Sequence, residues 1–493
     1  MRYAGEAAEQ ALGLAAPEDA VTFVRRALEA ADLGDVAGPT HTGLLLLLGR
    51  ALGATGELDE ARTVVGDAFD RAVEAGDVDT SCEAAIEYGG VQGVWEAYGQ
   101  ERGPAQLRTA LELLEPGDSE RRAVVLARLG EWLISAPGDE GARVARDAYD
   151  MAVRVEAPGA RRFAASVVAL TVRNLDPPAQ LAFNEEALAL LGGVTTADAL
   201  TAYGGASDAR LALGDLDGAA AAVEQQHAAA EACGLRSQDF WRETWQGTQA
   251  LIEGRFADAR TLADALDARP EDQVIPRLFA AIGRTDADYL QGDWAAAVAG
   301  WAECRRIGPM IMAPYAGYEG VGADPDFVRR EWDRWRIEVE PMLPTWCRPP
   351  SVGMLSENLR LLGEREAAAA YAEEFVGHSG QFFTNGICWF HGPFDAALGV
   401  LSMTAGDLDA AVAYLTRAVE QCDAIGSPSW GMIARLELAT AARTRGAPDD
   451  EALATKAAAE ARRIGEELGM PGWIERLDRL DAGDLEPWRP ASG

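Results

Sequence analysis

The densest aromatic stretch of the chain runs from Gly380 to Phe394, GQFFTNGICWFHGPF, and sets Phe382, Trp389 and His391 among further rings. Rings in such number either fill a hydrophobic core or line a site that takes an apolar or cationic molecule by burial and cation–π contact. Other rings recur at helical spacing upstream. Trp241 and Trp245 stand four apart and Trp332 and Trp335 three apart, so each pair occupies one helix face. Pairs of this kind are usually core, but here the tryptophans at 241, 245, 294, 301, 332, 335, 346 and 389 gather in the central and later parts of the chain. That clustering favours an aromatic-lined groove. Tyr315 and Tyr318 belong to Gly308–Ala323, GPMIMAPYAGYEGVGA, whose single charge is Glu319. A connection this apolar is poorly suited to disorder and reads as a plug or lid in a groove, or as an irregular hairpin turn. Trp241, Trp245, Tyr315, Tyr318, Trp332, Trp335, Phe382, Trp389 and His391 are therefore the candidate ligand-binding residues. Within the aromatic stretch, Phe383 and Phe390 are expected in the core and Phe382, Trp389 and His391 toward the groove.

Groups able to catalyse are less well placed. Asp324, Asp326, Glu331 and Asp333 are the densest carboxylates near the rings, yet with 79 acidic residues in the chain, solvated helix ends account for such a cluster. His41, His227, His378 and His391 form no i,i+4 pair, and the six cysteines show neither Cys-x-x-Cys nor a metal-ligand spacing. Cys388 and His391 are near in sequence, but a nucleophile and its base must meet in space. The single lysine, Lys456, sits in the plain helical run ALATKAAAEA, which leaves no phosphate-binding loop and no Schiff-base context. No catalytic residue, metal or cofactor is expected.

Composition narrows the partners. The formal charge is −35 and the pI about 4.5, so the field of the chain repels phosphate backbones and anionic lipid surfaces; neither nucleic acid nor membrane is an expected partner. The favoured partners are a protein, a peptide, or a cationic or apolar small molecule. Met1–Ala16 carries Glu6 and Glu9 and is no secretory leader, Leu44–Leu48 is far too short to span a bilayer, and scattered thiols suit a reducing compartment; a cytoplasmic location is expected.

These candidates need a scaffold, and 493 residues are too many for one compact core. Self-similarity supplies the organisation. GELDEA at Gly56, GDLDGA at Gly214, GRFADA at Gly254, GDWAAA at Gly292 and GDLDAA at Gly406 share the form Gly-x-apolar-x-x-Ala, with Gly49, Ser207, Gly247, Thr285 and Gly399 seven residues earlier. Gly363 fits the same skeleton with Arg365 at the apolar position. The glycine ends a first helix in the left-handed conformation, the small residue lets two helices approach, and the alanine sits where the second helix crosses. Thr80–Glu83 reads as a capping box, and Asp324-Pro325 as a helix start. No segment has the period of a strand, and Gly392–Met403 is expected to form the first helix of a hairpin.

The pattern resembles the tetratricopeptide repeat, lengthened to about 40 residues per unit. Tyr3–Ala30 (YAGEAAEQALGLAAPEDAVTFVRRALEA), Gly392–Ala439 (from GPFDAALGVLSMTAGDLDAA) and Leu468–Leu477 (LGMPGWIERL) further resemble the C-terminal repeat arm of bacterial STAND-class signalling ATPases, including LuxR-type regulators and cyclase-linked ATPases. That resemblance implies an arm that senses an inducer or partner and restrains a motor. No phosphate loop precedes Tyr3, no cyclase segment is present, and no basic helix-turn-helix follows Leu480, so the ATPase would be a partner or a missing upstream domain. The expected fold is an all-α, tetratricopeptide-like α-solenoid of about twelve hairpins. It is read as one superhelix over 1–493, with a possible sub-boundary near 305–325. The expected function is a binding scaffold or sensor that takes a partner protein, peptide or small inducer in its concave groove. The alternative is an enzyme or small-molecule-processing protein with an aromatic, carboxylate-lined pocket in the central to C-terminal repeats.

Overall fold

A computed structural model describes residues 2–14, 16–34, 38–88, 101–192, 198–235, 239–269, 274–308, 325–486 and 488. The fold is all-α, built from tetratricopeptide-like helix hairpins, in two compact units: Met1–Ala206 with Ala221–Trp241, and Ser207–Ala220 with Arg242–Gly493. Residues 309–324, which cover most of the sub-boundary expected at 305–325 together with Tyr315 and Tyr318, lie outside the described residues.

The first unit contains α1 (Arg2–Gly13), α2 (Pro17–Leu33), α3 (Pro39–Thr55), α4 (Leu58–Ala75), α5 (Val78–Glu87), α6 (Arg102–Leu113), α7 (Glu120–Leu133), α8 (Glu140–Arg154), α9 (Pro158–Thr171) and α10 (Pro177–Ala189). Helices α11 (Asp198–Ala212) and α12 (Leu216–Ala232) contribute to both units. The layers of the first unit close with small and aliphatic side chains in one cluster, such as Ala127, Ala145, Ala148, Ala164, Val167 and Val168, and with aliphatic and aromatic ones in another, such as Leu45, Val65, Phe69, Leu107 and Trp132.

The second unit continues with α13 (Trp241–Ile252), α14 (Phe256–Asp267), α15 (Val274–Gln291), α16 (Trp294–Ile307), α17 (Pro325–Arg334), α18 (Arg348–Leu362), α19 (Arg365–Phe375), α20 (Phe394–Ala405), α21 (Leu408–Ile425), α22 (Pro428–Arg445), α23 (Asp450–Leu468) and α24 (Pro471–Asp481). One turn of π-helix, Trp335–Val339, follows α17.

The repeat skeleton explains these boundaries residue by residue. The apolar position two after each turn glycine is the first helical residue of α4, α12, α14, α16 and α21, and the alanines Ala61, Ala219, Ala259, Ala297 and Ala411 are buried. At Gly406 the backbone turns left-handed with φ 97°, and Asp407 then caps α21 by accepting from the Ala410 amide at 3.0 Å. Seven residues earlier, a Cβ at Gly399 would stand 2.5 Å from Leu415, so only glycine allows α20 and α21 to lie this close. Arg365 takes the apolar position after Gly363 for a different reason: its guanidinium donates to the Ala405 carbonyl at 3.0 Å, at the end of the neighbouring α20.

Three local expectations differ from the structure. The cap of α5 is Asp77, which accepts from the Thr80 amide and hydroxyl at 3.1 and 2.7 Å; the helix has begun by Val78, so Thr80–Glu83 lies inside it. The first helix of the hairpin at Gly406 starts at Phe394 rather than Gly392. Strands do occur: β1 (Phe382–Thr384) and β2 (Phe390–Pro393) form an antiparallel pair with Phe382 opposite Pro393 and Thr384 opposite Phe390. Runs this short are too brief to show a period of two. Asp395, fully buried in the first turn of α20, ties the approach to this pair by accepting from Ser379 Oγ at 2.8 Å and the Gly380 amide at 2.7 Å. No described helix is long and apolar enough to cross a membrane.

Candidate functional site

Within the second unit the later repeats return to the turn edge of the earlier ones. A Cβ at Gly214 would lie 2.7 Å from the Phe382 ring, one at Gly254 the same distance from Leu468, and one at Gly292 2.6 Å from the backbone of Gly472. The carbonyls that end the first helices become acceptors: Ser429 Oγ donates to Leu251 O at 2.9 Å, and Trp473 Nε1 to Tyr289 O at 3.0 Å. The β1–β2 tip is fastened in the same manner, by Thr248 Oγ1 donating to the Ile387 carbonyl at 2.6 Å and Thr384 Oγ1 donating to Asp208 Oδ1 at 3.2 Å. Helix α22 is consequently buried around nearly its whole circumference from Ser429 to Ala442.

This return encloses a run of rings. Trp301 meets Trp389 at 5.1 Å between centroids, Trp389 meets His391 at 4.9 Å, His391 meets Trp430 at 5.8 Å, and Trp430 meets Tyr289 at 6.0 Å. Tyr289 continues to Trp473 at 5.5 Å, and Trp473 to Trp294 at 4.9 Å. The guanidinium of Arg476 lies over Trp294 and Trp473, 4.5 and 4.9 Å from their centroids.

Charged groups stand beside the rings. Arg360, on α18, donates to both carboxylate oxygens of Glu437 at 2.5 and 3.1 Å and to Glu357 at 2.6 Å, with its side chain only 2% exposed. Burial alone would lower this guanidinium; Glu357 and Glu437 outweigh it and hold Arg360 above its ordinary value. Arg476 is as deeply buried without an adjoining carboxylate, and burial takes it below its ordinary value. Burial also holds the Asp286 carboxyl well above the usual range and the Tyr289 phenol above its own, and it brings the His391 imidazole down to about 3. Tyr289 and His391 are thus neutral at pH 7, and beside them the buried Arg360 and Arg476 stand near Glu357 and Glu437.

The sequence-derived candidates distribute as follows. Trp389 and His391 belong to the enclosed run of rings. Phe382 is buried against Phe390, 5.6 Å away, and against Gly214, whereas it is Phe383 that reaches His391, at 6.1 Å. Both rings are buried, Phe383 also against Phe394 at 4.9 Å, and the strand pair turns alternate side chains to opposite faces. Trp332 and Trp335 stack at 5.9 Å and pack edge-on against Tyr371, connecting to His391 through Phe375, Phe394 and Phe383. Trp245 is buried in the second unit; Trp241 belongs to the first and lies tilted beside Phe240, 4.7 Å between centroids. Of the expected carboxylate cluster, Glu331 and Asp333 pair with Arg334 and Arg336 on their own helical turns. Cys388 donates to the Asn385 carbonyl at 3.4 Å.

Sequence reading missed Arg360, Glu437, Arg476, Tyr289, Trp430 and Trp473. A signal existed: each of the three charges interrupts an apolar helical run, in NLRLL, ARLELA and GWIERL. No family model matches this sequence, and no curated protein matches it. Among solved structures, similarity extends to a Rap protein complexed with competence and sporulation factor, at 12% identity over 73% of this chain and 99% of that one, TM-score 0.45. It extends also to a human IFIT1 dimer with PPP-AAAA, at 14% identity over 82% and 87%, TM-score 0.39. A third similar structure is the APC/C hetero-tetramer Cut9-Hcn1, at 12% identity over 96% of both chains, TM-score 0.36.

Proposed function

We propose that the chain is a ligand-binding helical-repeat protein that holds a small molecule in the aromatic and charged interior of its second unit and offers its helical faces to a protein partner. The observation that carries this reading is the burial of Arg360, Glu437, Arg476 and Asp286 in the unit that holds the run of tryptophans, with the half-buried His391 inside that run. Burying an ion costs several kcal/mol even after relaxation, and a site that takes a polar ligand gives such groups a use, whereas one layer of the first unit closes on buried alanine and valine. Trp389 and His391 serve as wall residues, with Trp332, Trp335 and Phe382 as supports behind the walls.

The STAND-arm resemblance extends the proposal to a sensor that passes ligand occupancy to an ATPase, in a reducing, cytoplasmic setting that suits six free cysteines. With a net charge of −35, the partner's contact face is basic and the complex weakens as salt rises. Native mass spectrometry of the purified chain tests the ligand reading: the expected result is a small-molecule adduct that is lost on denaturation. A bare chain that no small molecule stabilises overturns it. The burial of Asp286, which raises its carboxyl well above the usual range, favours one second reading, an enzyme using it as a general acid, which chemical change of the released molecule during incubation would support.

A further inference from the structure

The class of ligand follows from two donors. Arg476 is 6% exposed, and its Nη1 has no hydrogen-bond acceptor among the described residues. Arg360 uses both of its terminal nitrogens on Glu437 and Glu357, whereas Arg476 lies against the ring faces of Trp294 and Trp473. The second donor is Trp430 Nε1, also buried and without an acceptor among the described residues, on the ring that adjoins Tyr289 and His391. Trp473, by contrast, has its own Nε1 satisfied by the Tyr289 carbonyl. A buried donor left unpaired costs free energy, and more when charged, so a ligand that brings acceptors recovers that energy on binding.

Resting on the reading that the second unit binds a small molecule, we infer that its ligand is a monoanionic carboxylate on a flat aromatic body, with the carboxylate on Arg476 and the body along the Trp430 and Tyr289 rings. A guanidinium fork matches a carboxylate in plane and spacing, and ring walls favour a flat partner in offset or edge contact. One negative charge suits the site better than two. Glu357 and Glu437 already neutralise Arg360 and act on Arg476, so a phosphate dianion would meet two carboxylates for one uncommitted cation.

The test is a panel of ring compounds offered to the full chain and followed by calorimetry and tryptophan fluorescence: benzoate, indole-3-acetate and naphthoate, their neutral amides, and phenyl phosphate. Carboxylates are expected to bind at least about tenfold more tightly than their amides and than the phosphate, a difference of about 1.4 kcal/mol. Arg476→Gln should erase that preference, leaving amide binding in place. Trp430→Phe, which removes only the indole N–H, should weaken the carboxylates several-fold. The comparison of carboxylate with amide in the unaltered chain decides the matter even where a variant fails to fold. Equal affinity for amide and carboxylate, or no binding of either by a chain that still carries an adduct in native mass spectrometry, overturns this inference and leaves the broader reading standing. A chain that carries nothing and binds nothing overturns both.

Discussion

His391 is among the most strongly perturbed side chains of the second unit, since burial takes its imidazole to about 3 while an exposed histidine titrates near 6.5. The unfolded chain therefore takes up this proton first as the pH falls. Stability from the neutral ring is fully present above pH ~6.5 and is lost progressively toward pH ~3, by at most about 1.4 kcal/mol per pH unit. Urea midpoints measured at pH 7 and at about pH 5 should separate by less in His391→Phe than in the parent; an unchanged separation would assign the acid sensitivity to other groups. Glu437 makes an opposite kind of contribution. Replacing it by Gln leaves Arg360 buried with half of its neutralising charge, and a loss of about 3–5 kcal/mol is expected in denaturant unfolding. Recovery of much of that loss on adding Arg360→Met would show that the unpaired charge, not the lost contact, was responsible. The candidate rings Trp332, Trp335, Phe382 and Trp389 were legible as helix-face or cluster positions, but where Phe382 and Trp389 pack depended on a strand pair too short to announce itself.

Between hairpins, the turn glycines have two separate roles, and substitution distinguishes them. Gly363 has φ 68° with open space around its Cβ direction, so Gly363→Ala meets only the backbone penalty of about 1 kcal/mol. Gly292 has φ 77° and also touches the backbone of Gly472, so Gly292→Ala must in addition push α24 away from α15. Urea unfolding should show a loss at Gly292 clearly larger than at Gly363, and equal losses would mean that the contact between the two turns carries no energy. The hairpins themselves were readable because their signals are local. Left-handed glycines, N-caps such as Asp407 and small crossing residues such as Gly399 act within a few residues of one another. The second role of Gly214, Gly254 and Gly292 was not readable, since their partners Phe382, Leu468 and Gly472 lie far along the chain.

Considered as a whole, the second unit depends on its last helix. Ending the chain after Gly469 removes Trp473 and Arg476 and uncovers Tyr289 and Trp294. Such a truncation should bind a hydrophobic dye strongly and lose at least the ~3–5 kcal/mol typical of deleting a buried tryptophan. An unaltered melting temperature without dye binding would show that α24 is an appendage rather than a wall. By itself the sequence determined an acidic, all-α chain of tetratricopeptide-like hairpins, because helical period and turn chemistry are decided over a few residues. Only the tertiary structure decided that α22 and α24 lie against the ends of α13 and α15 and enclose Arg360, Glu437, Arg476 and the tryptophans. The physical reason is that apolar burial has no direction: a face of alanine and leucine is satisfied by any complementary face, so its period cannot name the partner it meets.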